Sequence, residues 1–302
     1  MGERLTRTVP SELAGERLDR VVAVLGEMSR SAARLLVESG EVTVDGEVLA
    51  ARSRLEAGQT VTFSPPEEIE AVAPEPVDFG VLFDDGQVLV VDKPAGLVVH
   101  PGAGHKTGTL VSGILHLHPE VEGVGEPGRW GIVHRLDRDT SGLMVVAVTQ
   151  EAHAGLSEQV KARTMQREYL ALVDGEFTVP TGTIDAPLSR DPSRPTRRKL
   201  DPTGRPARTH YVLEEWYPVA GVSLVRVRLE TGRTHQIRVH MAAIDHPLVG
   251  DGLYRPGPDR IQVPRMFLHA TRLAFTHPTT GEALVFESPL PPDLADVIAT
   301  LK

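Results

Sequence analysis

The sequence predicts an α+β protein whose larger domain has a mixed, largely antiparallel sheet and whose small N-terminal domain is also α+β. Three observations support this prediction. Segments typical of strands outnumber those typical of helices, and the two kinds do not alternate regularly along the chain. A Pro- and Glu-rich stretch also divides the 302 residues into two unequal parts. A doubly wound parallel sheet would need regular alternation, so it is disfavoured.

Composition limits the class of protein. Apolar residues make up 40% of the chain and charged residues 24%, which is ordinary for a globular protein. The absence of cysteine excludes disulfides, thiolate nucleophiles and Cys-ligated zinc. No apolar run is long enough to span a bilayer, and no signal peptide is visible. We therefore expect a cytoplasmic protein without membrane association, and nothing in the sequence requires more than a monomer.

The expected N-terminal domain covers residues 1–65. The segment SRSAARLLVESG predicts a helix, and EVTVDGEVL predicts a hairpin around Asp45-Gly46. Arg30 and Arg34, four positions apart, would share one exposed face of the helix. Helix, hairpin and basic face fit a compact RNA-binding module. The alternative is a small α+β domain whose charged face is simply solvated.

A linker is expected at residues 66–78, because this stretch is rich in Pro and Glu and has no sustained apolar period. Acidity is concentrated here. Residues 66–86 carry seven acidic side chains and no basic one, whereas residues 87–302 carry 24 of each. The net charge of −9 therefore leaves room for positive patches elsewhere in the chain.

The expected catalytic domain covers residues 79–302 and is rich in strand patterns. Within VRVRLE, Val225, Val227 and Leu229 would face one side and Arg226 and Arg228 the other, as in a half-buried strand. The strand candidates are VLFDDGQVLVVD, GLMVVAVT, REYLALVDG, RTHYVLEEW, VSLVRVRLE, HATRLAFTHP and EALVFESP. The helix candidates are QEAHAGLSEQVKAR, THQIRVHMAAID and PPDLADVIATL.

A basic cluster lies between Ser189 and His210. It contains seven basic residues against Asp191 and Asp201. Such a cluster can bind RNA phosphates, or it can be a flexible loop with no fixed partner. The basic residues are Arg190, Arg194, Arg197, Arg198, Lys199, Arg205 and Arg208.

Two segments are dense in side chains that can carry chemistry. In GIVHRLDRDTSGLMVV, a strand end, a turn at Thr140-Ser141-Gly142 and a returning strand would bracket Asp137. This carboxylate is either catalytic or a local turn cap, and the residue pattern alone does not decide. In LETGRTHQIRVHMAAID, a helix from Thr234 would turn Arg238 toward the interior, where an arginine usually pairs with a carboxylate or phosphate.

A metal-dependent hydrolase is a competing interpretation, since the chain has 12 histidines. His235 and His240 are five positions apart, however, and no H-E-x-x-H pairing or clustered ligand set is present. No metal site is therefore expected.

The strings HRLDRDTSGLMVVA, REYLALV and TGRTHQIRVHMAAIDHPLVGD, in that order, resemble the RluA-type pseudouridine synthases. ERLDRVVA and SRSAARLLVESGEVTVDGEVL resemble the S-four-type RNA-binding domain that many of them carry. The resemblance covers nearly the whole chain. It implies isomerisation of uridine to pseudouridine in ribosomal RNA, most often that of the large subunit.

The resemblance also implies roles for individual residues. The nucleophilic aspartate of the family falls on Asp137 and its active-site tyrosine on Tyr169. The arginine that pairs with the nucleophile falls on Arg238, with Arg233 as the competing candidate. An apolar residue that supports the base falls near Leu268.

The chemistry implied by this likeness explains these residue types. Isomerisation needs no cofactor, because a glycosidic bond is broken and remade without a change in composition. The carboxylate attacks the anomeric carbon or assists glycal formation, and the sequence does not choose between these routes. The target base must be flipped out of its stack, and Arg135 is a hypothetical wedge for the space it leaves. A catalytically silent RNA-binding or ribosome-assembly protein remains an alternative.

Overall fold

The computed structural model describes residues 4–28, 30–64, 72–102, 105–194, 196–255, 257 and 261–301. The chain forms two compact units, residues 1–71 and 72–302. Residues 66–71 of the expected linker lie outside the described residues. Its remainder, 72–78, belongs with the second unit, where Val72 is buried in the core and the Glu75 amide donates to the Ser112 carbonyl.

The N-terminal unit packs two helices against a three-stranded antiparallel sheet of order β1-β3-β2. Leu18, Val21 and Val22 recur at helical spacing on α1 and are fully buried against Val61 and Phe63 of β3. The elements are β1 (Leu5–Thr8), a 3-10 turn (Ser11–Leu13), α1 (Leu18–Leu25), α2 (Arg30–Glu38), β2 (Val42–Val44) and β3 (Thr60–Phe63).

The turn expected at Asp45-Gly46 is confirmed. Both residues have positive φ, 52° and 89°, and Val44 and Glu47 exchange backbone hydrogen bonds of 2.8 and 2.9 Å. The expected second hairpin strand is wrong. Pairing with β2 across the turn is limited to this one bridge, and β2 instead pairs along its length with β3.

The second unit is built on a nine-stranded sheet of order β4-β5-β6-β13-β7-β12-β11-β8, with β14 also paired to β13. Among the described pairs, β6 and β13 run parallel and the others antiparallel, which confirms the mixed, largely antiparallel sheet. The strands are β4 (Gly80–Asp84), β5 (Val88–Lys93), β6 (Ser141–Ala147), β7 (Gln166–Asp174), β8 (Thr181–Asp185), β11 (Arg208–Tyr217), β12 (Val222–Leu229), β13 (Leu268–Thr276) and β14 (Ala283–Glu287).

A separate two-stranded ladder is formed by β9 (Leu188–Arg190) and β10 (Arg198–Leu200). The helices of this unit are α3 (Leu110–Leu117), α4 (Gln150–Ala162), α5 (Gln236–Ala243) and α6 (Pro292–Leu301), with a 3-10 turn at Pro119–Val121. Thr109 and Thr149 cap α3 and α4. The side chain of each accepts a hydrogen bond from the backbone amide three residues later. None of the described helices has the length and apolarity needed to cross a membrane.

The start of β6 differs from the expectation. Ser141 and Gly142 belong to this strand and not to a turn. Gly142 has φ of 111°, and a Cβ there would lie 2.2 Å from the Ala270 carbonyl oxygen. Only glycine lets β6 approach β13 so closely, and this approach brings residues 134–140 beside the start of β13.

Candidate active site

A cavity of about 600 Å³ opens where the loop that precedes β6 meets β7, β12, β13, α4 and the start of α5. Its lining includes all six residues that the sequence singles out for catalysis and substrate binding: Asp137, Tyr169, Arg238, Arg135, Arg233 and Leu268. Residues from four separate stretches of the chain, around positions 135–137, 169, 233–238 and 268, are therefore brought to one concave surface. Such a cavity is the natural candidate for an active site.

Asp137 lies in the loop that precedes β6. Its carboxylate is largely buried, with 17% of the side chain exposed, and it accepts a hydrogen bond of 3.2 Å from Arg238 Nη1. The partner lies 101 positions away, so the alternative of a purely local turn cap does not describe this carboxylate. Its backbone carbonyl does close the turn, by accepting from the Thr140 amide.

Arg233 does not contact Asp137. Its Nε donates to the Pro206 carbonyl at 3.1 Å. Of the two candidate arginines, Arg238 is thus the one that forms the ion pair with Asp137.

Arg238 is held from behind by Asp251. Its Nε and Nη2 donate to the two Asp251 oxygens at 2.8 and 2.9 Å, in the two-point geometry that guanidinium and carboxylate favour. The Asp251 side chain is fully buried and also accepts from the Leu253 and Tyr254 amides. Burial alone would raise the pKa of Asp251, but the hydrogen bonds and charge of Arg238 together with the Leu253 and Tyr254 amides outweigh burial and lower it. Asp251 is therefore a carboxylate, and it fixes the direction in which Arg238 points.

The turn that leads into α5 is fixed by the buried Gln236. Its Oε1 accepts from Thr231 Oγ1 and the Arg233 amide, at 2.7 and 3.0 Å. Its Nε2 donates to the Arg208 carbonyl and to Thr209 Oγ1, both at 3.0 Å. Oε1 thus closes the turn on itself, and Nε2 ties the turn to β11.

The start of α5 differs from the expectation of a helix from Thr234. The helix begins at Gln236, because His235 adopts a left-handed conformation with φ of 58°. His235 consequently faces the cavity. Its Nε2 lies 3.9 Å from Asp137 Oδ2, and its Nδ1 is 2.8 Å from the Tyr254 hydroxyl.

Tyr169 is a β7 residue whose backbone lies between Val227 of β12 and Ala270 of β13. It is buried, yet its side chain lines the cavity together with Leu268. Burial raises the pKa of the Tyr169 phenol, and the negative charge of Asp137 adds to this effect. Tyr169 is therefore protonated at neutral pH.

Arg135 and His134 precede Asp137 but have different surroundings. Arg135 lines the cavity, and its Nη1 donates to His100 Nε2 at 2.8 Å. His134 Nε2 accepts from the Val145 amide of β6 at 3.2 Å. Burial lowers the pKa of His134 to about 3, so the ring is neutral and anchors the loop to the sheet.

Lys93 also anchors this loop, although no sequence motif singled it out. The side chain is fully buried, and its Nζ donates to the Pro94, Leu97 and Arg138 carbonyls at 2.8, 2.9 and 3.0 Å. Burial lowers the pKa of Lys93 to about 7. A lysine at the end of the strand VLVVDK, two positions after its apolar run VLVV, was the available signal.

The basic segment 189–210 is not a flexible loop where it is described. Lys199 is exposed on the β9–β10 ladder, paired with Ser189. Arg197 donates to the Leu253 carbonyl and stacks on the Tyr254 ring at 5.7 Å, and the Arg198 amide donates to the Tyr254 hydroxyl.

The two arginines of α2 are exposed, and each has a carboxylate partner in its own unit. Arg30 lies 3.4 Å from Asp19, and Arg34 pairs with Glu38 at 2.7 Å. Among the described residues, no group of three or more His, Asp or Glu side chains could hold a metal ion.

Comparison with known proteins gives two family matches. The model described as RNA pseudouridylate synthase matches residues 87–243, and the S4 domain model matches residues 16–61. The ribosomal large subunit pseudouridine synthase D of Nitrosomonas europaea is 42% identical over 305 residues, which cover 98% of this chain and 87% of that protein. The uncharacterized RNA pseudouridine synthase YlyB of Bacillus subtilis is also 42% identical, with 98% and 97% covered.

Solved structures agree with these matches. Human RNA pseudouridylate synthase domain containing 1 is 26% identical and superposes with a TM-score of 0.57, over 78% of this chain and 96% of that one. Human RNA pseudouridylate synthase domain containing 4 is 24% identical with a TM-score of 0.60, and it supports the fold.

Proposed function

The chain belongs to the RNA pseudouridylate synthase family, and from that premise we propose that it isomerises uridine to pseudouridine in ribosomal RNA of the large subunit. One observation carries the assignment of the site. The Asp137 carboxylate lies in the cavity beside Tyr169 and is paired with Arg238, which a second buried carboxylate holds in place.

Asp137 is the proposed nucleophile. An adjacent guanidinium favours the ionised form of a carboxylate, and only that form can attack. Attack forms a bond from a carboxylate oxygen to C1′ and breaks the C1′–N1 bond. In the alternative glycal route, the same carboxylate takes the C2′ proton as the C1′–N1 bond breaks. Both routes need a carboxylate that is shielded from bulk water, and only 17% of the Asp137 side chain is exposed.

Tyr169 and Leu268 are the proposed contacts of the base. Rebonding through C5 requires that the freed uracil turn over without leaving the cavity, and an aromatic ring with an apolar neighbour can hold it in both orientations. After C5 has bonded to C1′, the C5 proton must depart and N1 must gain one. The Tyr169 hydroxyl is a suitable group for relaying the C5 proton.

The charges around the cavity support an RNA substrate. Seven basic side chains and three acidic ones line it, an excess that favours a phosphate backbone. Arg135 is proposed to fill the stack after the target base has flipped, and Arg233 to contact substrate at the rim. The basic side chains are Arg129, Arg135, Lys161, Arg163, Arg167, Arg233 and Arg238.

The S4 domain match supports RNA binding by the N-terminal unit, with Arg30 and Arg34 as proposed phosphate contacts. Arg197, Arg198 and Lys199 are proposed to contact RNA on the second unit. The proposed division is a domain of residues 1–65, a linker that begins at residue 66 and a catalytic domain of 79–302, with residues 72–78 of the expected linker packed on the catalytic domain. We further propose that the protein is a monomer, that it needs no cofactor, and that it acts in the cytoplasm, where ribosomal RNA is processed.

The test is pseudouridine formation in large-subunit ribosomal RNA. Cells lacking the gene should lose pseudouridine at the target positions, and purified wild-type protein should restore it. Asp137→Asn should bind this RNA and form no product. Asp139→Asn is the matched control, because Asp139 is exposed and pairs with Arg138 away from the cavity. Full activity of Asp137→Asn would contradict the assignment, and unchanged RNA in cells lacking the gene would contradict the function.

A further inference from the structure

A second buried cation in the cavity has no part in the chemical steps proposed above. Arg167 lies on β7, two residues before Tyr169, and the burial pattern places both side chains on the same face of the strand. Only 5% of Arg167 is exposed, although it lines the cavity.

Arg167 lacks the partner that a buried arginine normally has. Its Nε is buried without a hydrogen bond, and within the described parts of the chain no carboxylate forms an ion pair with its guanidinium. An uncompensated buried charge is destabilising, because its hydration is lost and nothing replaces it. The fold therefore retains this cation at a cost in stability.

The acidic side chains of the cavity do not neutralise Arg167, since each is paired elsewhere. Asp137 pairs with Arg238, and Glu126 with Arg129 at 3.3 Å. Glu230 accepts from His210 at 2.6 Å and also pairs with Arg163 and Arg208.

The depth of Arg167 distinguishes it from the arginines of the rim. Its charge acts on two buried rings, since it lowers the pKa of both His134 and Tyr169. The guanidinium also lies against the bare Cα of Gly232, where a Cβ would be 2.8 Å from Nη1. Arg167 thus lies at the level of Tyr169, where the base is proposed to sit, and not where the phosphate backbone would pass.

The reaction itself generates an anion at this level. When the C1′–N1 bond breaks, its electron pair leaves with the uracil, whose negative charge is shared by N1, O2 and O4. Resting on the proposed function, we propose that the Arg167 guanidinium stabilises this detached uracil anion by donating to its oxygens. A fixed cation aimed at charge that develops during a reaction is a common source of rate enhancement.

The test compares Arg167→Met and Arg167→Lys with wild-type protein in single-turnover pseudouridine formation at saturating RNA. Arg167→Met should lower the rate about 100-fold, which is typical for the loss of one such donor. RNA affinity should change by no more than about threefold, because the interaction exists only after the bond has broken. Arg167→Lys should recover part of the rate, since it keeps the charge and loses the forked geometry.

Two further measurements separate this role from a structural one. The melting temperature of Arg167→Met should equal or exceed that of the wild type, because a buried unpaired charge is removed. Arg272→Met is the matched control, since Arg272 lies on the adjacent strand, pairs with Glu168 and is not part of the cavity lining. It should keep the wild-type rate.

The outcomes are distinguishable. Weaker RNA binding of Arg167→Met with a normal rate at saturation would make Arg167 a phosphate contact and overturn the inference. The inference would also be overturned if Arg167→Met had a lower melting temperature and lost activity only in proportion to the loss of folded protein, with an unchanged rate per folded molecule. Wild-type protein that forms no pseudouridine would overturn the proposed function and the inference together, whereas an active wild type with an equally fast Arg167→Met overturns the inference alone.

Discussion

Asp251 binds Arg238 through two hydrogen bonds of 2.8 and 2.9 Å, and this leaves Nη1 as the Arg238 nitrogen that faces the cavity. That nitrogen donates to Asp137. Two carboxylates therefore share one guanidinium, but their surroundings differ. The Asp251 side chain is completely buried, while 17% of the Asp137 side chain is exposed to the cavity. Asp251 acts on the reaction through Arg238 and is a positioning residue.

Asp251→Asn should destabilise the protein by about 3 kcal/mol, because one partner of a buried ion pair loses its charge. It should also slow pseudouridine formation, since Arg238 is no longer oriented toward Asp137. Chemical denaturation and single-turnover assays measure the two effects. Asp293→Asn, which breaks the more exposed pair with Arg265, should cost less than about 1 kcal/mol. Equal destabilisation by the two variants would argue against this account of Asp251.

Arg238→Lys should lower the rate at saturating RNA, because an ammonium cannot bridge two carboxylates with the geometry of a guanidinium. Arg233→Gln should instead weaken RNA binding and reduce the slope of log affinity against log salt by about one. Filter binding over a range of salt concentrations, together with single-turnover rates, separates the two variants. The opposite pattern would make Arg233 the partner of the nucleophile.

Tyr169→Phe should bind RNA normally, since the ring that contacts the base is retained. Loss of the hydroxyl should slow release of the C5 proton by about 100-fold, the usual scale for a proton-transfer group. Release of tritium from RNA labelled at C5 measures this step. Wild-type release by Tyr169→Phe would restrict the residue to stacking.

The surface pair of His118 with Asp84 and Glu120 should make stability depend on pH. Burial opposes the charge of His118, but hydrogen bonds to both carboxylates outweigh burial and raise its pKa above the ordinary value. The folded state therefore binds the proton more tightly, and this stabilisation is present below about pH 6.5 and is lost as pH rises through the raised pKa. His118→Gln should reduce the free energy of unfolding at pH 5.5 more than at pH 9, by less than about 1 kcal/mol. The exposed His116→Gln is the control, and a difference independent of pH would refute the linkage.

Gly142→Ala should destabilise the protein by about 2 kcal/mol or more, because the new Cβ meets the Ala270 carbonyl and the backbone has positive φ. Gly86→Ala isolates the second effect, since Gly86 also has positive φ (76°) but open space around it. Thermal melts of the two variants should therefore differ. If the two variants have the same melting temperature, close approach of the strands is not what requires glycine at position 142.

Much of the fold follows from local pattern. The strands with alternating or β-branched runs and the helices α4 and α6 lie where the sequence predicts them, because a half-buried surface imposes its period on the residues. Two helices were missed for a physical reason. LVSGILHL (α3) is buried on most faces and so lacks the polar face of an amphipathic helix, whereas LDRVVAVL (α1) has an apolar face at helical spacing but is short and contains three β-branched valines.

The site was predictable only in part. The resemblance identified Asp137, Tyr169 and Arg238 as candidates with Arg233 as a competitor, and only the three-dimensional structure pairs Arg238 with Asp137. The role of Asp251 could not be predicted from residue spacing either, because it depends on burial and on the orientation of Arg238, 13 positions away. Charged residues that interact only in the folded structure do not produce a recognisable spacing in the sequence.

Strand β13 lies between β6 and β7 in the sheet, although five other strands separate it from β7 along the chain. During synthesis, the edges of β6 and β7 that β13 covers therefore have no partner until Leu268–Thr276 has left the ribosome. Open edges of this kind join other chains. A polypeptide that ends before Leu268 should thus aggregate and have no partial activity. The sheet can be completed, and the enzyme can become active, only after β13 has been synthesised.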